Sequence, residues 1–173
     1  LVIQALRAGP AGEYALQAAI AAVHAEALVA QDTDWIQIVG LYDALLQVNP
    51  SPVVALNRAA AIAMRDGPLA GLEAIDRLAE HKDLQGYYLL HAARADLFRR
   101  LDQAAEACRC YQLALRLAQQ APEQRFLQQR LAARVVIDDE RGDGGGGGLG
   151  EARGRRAHLV RVRVRVRVRL GLG

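Results

Sequence analysis

Residues 32–68 read DTDWIQIVGLYDALLQVNPSPVVALNRAAAIAMRDGP. The stretch holds two apolar runs of helical length, each closed by a proline-containing turn, Asn49-Pro50 and Gly67-Pro68. Asp34 stands before the first run with Gln37 three residues on, the spacing of a capping box. Ser51-Pro52 opens the second run with a cap residue and a proline at the first helical position, where a missing N–H costs nothing. Gly67-Pro68 repeats the device, the glycine admitting a left-handed turn.

The same frame extends in both directions. A unit starting at Ala19 puts Ile38, Tyr42, Leu45 and Pro50 at small, aromatic, packing and terminating positions. A second, starting at Val53, puts Gly67 at its inter-helix turn and Leu72, Ile75 and Ala79 on a buried stripe. A third, starting at Tyr88, places Ala95, Phe98, Ala107, Tyr111 and Ala114. The starts lie 34 and 35 residues apart, the tetratricopeptide period. Such hairpins cannot bury their apolar faces alone, so neighbours share a core.

Helices are expected over 13–30, 34–48, 52–65, 68–80, 87–100 and 103–119, with an amphipathic one over 123–133. In the last, Phe126, Leu127, Arg130 and Leu131 would cover the open end of the stack. The fold class is therefore all-α, a tetratricopeptide-like stack of antiparallel helix hairpins with six to seven helices. Residues 1–12 read as a linker, 13–133 as the helical domain and 134–173 as a disordered low-complexity tail. That tail holds five consecutive glycines and an Arg-Val alternation over 160–169 from which no core can be built. It reads as a simple repeat translated out of frame; the rival reading is a basic arm attracted to phosphates.

Charge follows the same boundary. Residues 1–137 carry 13 Lys/Arg against 14 Asp/Glu, and 138–173 carry 9 Arg against 5 acids, so the net +3 arises in the tail. No direct DNA binding is expected of the helical body. Gln17, His24 and Glu26 interrupt the one long apolar stretch, which excludes a membrane span there. Cys108 and Cys110 are too close along a helix for an unstrained bridge and read as free thiols in a reducing, cytoplasmic compartment. The chain begins at Leu1 without a methionine, and an upstream portion is expected.

No chemistry-bearing motif accompanies these helices. His24-x-Glu26 is half of a zinc deaminase signature without the Pro-Cys-x-x-Cys that would complete it. Phosphate-cradling and nucleophile-elbow glycine strings are absent. The expectation is no enzyme, no cofactor and no metal. Binding is the better reading, because stacked hairpins line a concave groove with the first helix of each unit. In this register the groove presents Asn57, Met64 and Arg65 from the second unit and Asp96, Arg99 and Arg100 from the third. Asn can bond an extended peptide backbone and Arg can fork onto a carboxylate; a merely solvated face is the alternative. Trp35, Tyr42, Tyr87 and Phe98 read as core rather than as a ligand platform.

Four strings are more specific than repeat positions: LQAAIAAVHAEA at 16–27, DTDWIQIVGLYDALL at 32–46, PSPVVALNRAAAIAMRDGPLAGLEAIDRL at 50–78 and GYYLLHAARADLFRRL at 86–101. They resemble the tetratricopeptide-like C-terminal extension of a group of extracytoplasmic-function (ECF) RNA polymerase sigma factors, over residues 10–133. The resemblance implies a regulatory or protein-interaction domain whose partners are the sigma core domains, RNA polymerase, or a regulatory protein or peptide. The family's promoter-reading and polymerase-binding domains have no counterpart in this sequence. His91 stands where the family has proline and Asp102 where it has the inter-helix glycine; Asp102 is expected to cap the helix that follows. A stand-alone peptide-binding scaffold is the alternative function.

Overall fold

The structure is a computed structural model that describes residues 12–27 and 32–142, with side chains described as far as 132. The expectations for residues 1–11, for 28–31 and for the tail from 143 lie outside the described residues. Within them the chain is all-α, in eight helices: α1 Glu13–Glu26, α2 Trp35–Val48, α3 Pro52–Arg65, α4 Pro68–Asp76, α5 Lys82–Gln85, α6 Tyr88–Arg100, α7 Ala104–Leu117 and α8 Ala121–Gly142.

The expected punctuation produces most of these boundaries. Asp34 Oδ1 accepts the Gln37 backbone N–H at 2.9 Å and caps α2. Pro52 and Pro68 each open a helix in its first turn. Gly67 has φ 100°, a conformation that a Cβ would strain. Ser51 occupies the N-cap of α3, but its hydroxyl makes no capping bond there.

Three corrections follow from backbone geometry. α4 ends at Asp76 rather than at 80, because the N–H groups of Leu78, Ala79 and His81 turn back to carbonyls three residues earlier. Ala79 therefore lies in a turn, and the chain re-forms as the short α5, which seats a fully buried Leu84. α8 begins at Ala121 and runs to Gly142, past the expected boundary at 133. Asp102 does not cap: Gln103 holds the N-cap of α7, while Asp102 takes the left-handed conformation at φ 58°.

Asp and Asn enter that region more readily than other side chains, but glycine does so without a Cβ penalty. Asp102→Gly is accordingly expected to raise stability by about 0.5 kcal/mol, the relief of strain being partly offset by the added freedom of the unfolded chain. Urea titration of the two proteins checks it.

The core is divided into three clusters along the chain. The first gathers α1, α2 and part of α3 around Leu16, Ile20, Ile38, Tyr42, Leu45 and Val54. The second gathers the rest of α3 with α4, α5 and α6 around Leu56, Ala63, Ile75, Leu84 and Leu90. The third gathers α6, α7 and α8 around Ala95, Ala107, Tyr111, Ala114 and Leu127. α3 thus serves two clusters. Val54 and Ala61 face the first, and Leu56, Ala59 and Ala63 the second. At 100° per residue the two sets point roughly 180° apart, to opposite sides of the helix. Phe98 on α6 likewise touches both the second and third clusters.

Three polar links join helices across the fold. Asn49, at the end of α2, donates to Glu13 at the start of α1 at 2.8 Å, as an antiparallel pair requires. Arg58 on α3 pairs with Asp43 on α2, and Arg94 on α6 with Asp76 on α4 at 2.9 Å. Two-residue and three-residue connections, Asp66-Gly67 and Leu101-Asp102-Gln103, leave α3/α4 and α6/α7 no room to be other than antiparallel neighbours.

Candidate functional site

The six groove residues lie on α3 and α6, whose C-terminal ends meet. Asn57 and Met64 are seven residues apart on one face of α3, the first half-buried and the second 43% exposed. Asp96, Arg99 and Arg100 share one face of α6 by their i, i+3, i+4 spacing. The structure joins the two helices through Arg100: its guanidinium donates to the Ala63 carbonyl at 3.2 Å and approaches Met64 Sδ at 3.8 Å. A cation there also meets the negative end of the α3 dipole.

The other charged members are paired on their own helices. Arg99 donates twice to Asp96 Oδ1, at 3.1 and 2.8 Å. Burial opposes the Arg99 charge, but the hydrogen bond and charge of Asp96 outweigh it and hold the guanidinium above its usual range. Tyr111, from α7, stands beside the pair, its hydroxyl pushed up chiefly by burial. Arg65 forks onto Asp66 at 2.9 and 2.8 Å, and that hydrogen bond pulls the Asp66 carboxyl down.

An incoming carboxylate would have to displace Asp66 from Arg65 or Asp96 from Arg99. Exposed pairs of this kind contribute little to stability, so exchange for a partner's acid is energetically open. Arg100 differs, because releasing it would leave a helix-terminal carbonyl without its side-chain donor. Asn57 and Met64 are the neutral positions of the face, and Met64 lies beside Arg100.

The aromatic residues stand as core elements. Tyr42 is buried, and Trp35, Tyr87 and Phe98 pack half-buried against the clusters. His24 meets Trp35 edge-on at 5.3 Å between ring centroids. Tyr88 links α6 to α8 through Glu123: burial first, then the hydrogen bond and charge of that carboxylate, push its hydroxyl up to about 12. Sequence reading missed this joint, as it missed Arg94–Asp76, because nothing local marks which charged residues of distant helices will meet. Cys108 and Cys110 are both free and half-buried, and burial pushes the Cys110 thiol up.

His24 and His91 are both held below the ordinary histidine range, chiefly by burial. The unfolded chain therefore binds protons more readily at these sites than the folded one. Their contribution is fully present above about pH 6.5 and is lost as the pH falls through the lower folded values. The urea midpoint is expected to fall between pH 7 and pH 5, and the double variant His24→Gln, His91→Gln to show a smaller fall.

Among the described residues, no group of three His, Cys, Asp or Glu side chains is placed to hold a metal ion. No helix there is long and apolar enough to cross a membrane. An open depression of about 290 Å³ lies between α1 and α2, lined by Glu26, Asp32, Asp34, Gln37, Val23 and Ala27. Among the described residues, no basic side chain lines it.

The fold of the described residues places the chain in the all-α class. No protein-family model and no solved structure matches it. An uncharacterised protein of Rhizobium meliloti (strain 1021) is 41% identical over 131 residues, which make up 76% of this chain and 30% of that protein. The chain therefore spans about a third of the length of that relative.

Proposed function

We propose that this chain is the tetratricopeptide-like C-terminal portion of an ECF RNA polymerase sigma factor, acting as its regulatory or protein-interaction domain inside the cytoplasm. The observation that carries the reading is where the resembling strings fall. Asp34 caps α2, Trp35 meets His24, Pro52 opens α3, and Arg58 pairs with Asp43. The residues that carry the likeness are thus the joints between successive helices, so the likeness concerns how the body is built. The Rhizobium relative supports it in one further respect: most of its length lies outside the matched stretch, which leaves room for core domains.

In this reading the helical body holds the sigma core in one arrangement, or docks a protein that does, through the α3/α6 face around Asn57, Met64, Arg65, Asp96, Arg99 and Arg100. The coding sequence upstream of Leu1 tests the assignment. An in-frame sigma core supports it; an independent start codon immediately upstream directs the function to a stand-alone peptide-binding scaffold. With a core present, deletion of the helical body is expected to change promoter output under at least one inducing condition. Unchanged output under every such condition contradicts the regulatory role.

A further inference from the structure

Met64 is the single methionine of the chain. It stands 43% exposed in the last turn of α3. Val53, Asn57, Ala60 and Met64 follow one another at i, i+4, i+7 and i+11 on one side of that helix, and none of the four is buried. Only Asn57 among them is polar, so Met64 closes a largely apolar stripe. From α6 the Arg100 guanidinium reaches the same point: Nη1 lies 3.8 Å from Met64 Sδ, while Nη2 donates to the Ala63 carbonyl at 3.2 Å. A thioether sulfur is a weak acceptor, so Arg100 holds α3 chiefly through that carbonyl. The electron pair that accepts so weakly is, however, the one a peroxide oxidises.

We propose that Met64 is an oxidation site, and that its sulfoxide takes the Arg100 guanidinium as a hydrogen-bond donor and so changes the state of the α3/α6 face. The oxidant is a peroxide. The sulfur lone pair attacks one oxygen of hydrogen peroxide, the O–O bond breaks and the S–O bond forms. Sulfur is oxidised by two electrons, the peroxide is reduced, and the proton of the transferred oxygen goes to the departing one, which leaves as water. The new oxygen is a far stronger acceptor than the sulfur. It stands one bond beyond an atom already beside a guanidinium N–H, and the three torsions of the methionine side chain let it turn there. Arg100 is then held to α3 by two acceptors, and the apolar stripe ends in a polar group. The consequence for docking rests on the reading proposed above: a partner that packs an apolar side chain on Met64 loses that contact. Cys108 and Cys110 lie on α7, both half-buried, and have no part in this contact.

Hydrogen peroxide on the full 173-residue chain tests the proposal without any partner, so a failed transcription reading leaves the result standing. Trypsin releases residues 59–65, AAAIAMR, in which Met64 is the one sulfur-bearing residue. This peptide is expected to gain one oxygen in the folded chain at a rate within about tenfold of that in the urea-unfolded chain. In the oxidised protein the guanidinium N–H groups of Arg100 are expected to exchange with water at least about tenfold more slowly than before, as a charge-assisted hydrogen bond requires. Those of Arg99, which donate to Asp96, keep their rates. Met64→Leu, which retains both cysteines, is expected to show no change at Arg100 under the same treatment. Methionine sulfoxide reductases, one for each epimer, are expected to restore the original exchange. A folded chain whose Met64 resists oxidation overturns the proposal. So does oxidised Met64 with unchanged exchange at Arg100, or an equal change in Met64→Leu.

Discussion

Gly71→Ala is expected to destabilise the protein by about 3 kcal/mol, at the upper end of what overpacking costs in a well-packed core. A Cβ built on Gly71 would stand 2.2 Å from Ala63 Cβ, 2.9 Å from Ala63 Cα and 3.2 Å from its backbone nitrogen. The neighbour is backbone and a methyl group, so no flexible side chain can yield. α3 and α4 would have to separate, opening the second cluster around Leu72 and Ile75. Ala63→Gly in the same chain removes the worst contact but leaves the Cα and nitrogen approaches. Partial rescue is therefore the specific expectation, and a urea-denaturation double-mutant cycle measures it. Equal losses with and without Ala63→Gly would place the cost elsewhere.

Leu127→Ala is the second large effect. Leu127 is fully buried and, with the half-buried Leu131, carries α8 into the third cluster, so truncation is expected to cost about 2–5 kcal/mol. Where the loss appears matters more than its size. The first and third clusters share no residue, so amide exchange is expected to quicken in α7 and α8 while the α1–α2 amides keep their rates under native conditions. A uniform acceleration across α1 to α8 would mean that the three clusters behave as one.

The proline and glycine punctuation between Asp34 and Pro68 was legible because it acts locally: a cap, a first-turn proline and a left-handed glycine each need only their own neighbours. The buried stripe was legible for a related reason, since Ile38, Tyr42, Leu45, Ala95, Ala107, Tyr111 and Ala114 all follow one period and all lie buried. Leu84 was not. It sits in HKDLQG, with no periodic neighbour to mark it, and is buried because α4 stops early and the chain folds back. The left-handed Asp102 was readable only as a departure from a glycine, and the residue type alone suggested the wrong role, a cap. Within the candidate groove, sequence placed Met64 and Arg100 on one surface, and the structure brings them together. The pairing of Arg65 with Asp66 and of Arg99 with Asp96 also lay within helical reach in the sequence, but whether such neighbours pair depends on rotamers that no spacing dictates. Arg100 reaching the Ala63 carbonyl depends on how α3 and α6 meet, which is a property of the tertiary packing.

The central claim is that the core is three clusters in series, with α3 and α6 each shared by two of them. Methyl-methyl NOE spectroscopy on a chain labelled at Ile, Leu, Val and Ala methyls tests it most directly. Cross-peaks are expected to join Val54 to the first cluster, Leu56 and Ala63 to the second, and Ala95 and Leu127 to the third. None is expected between Leu16 or Ile20 and Leu127. Cross-peaks between α1 and α8 would close the chain into a single bundle and contradict the account.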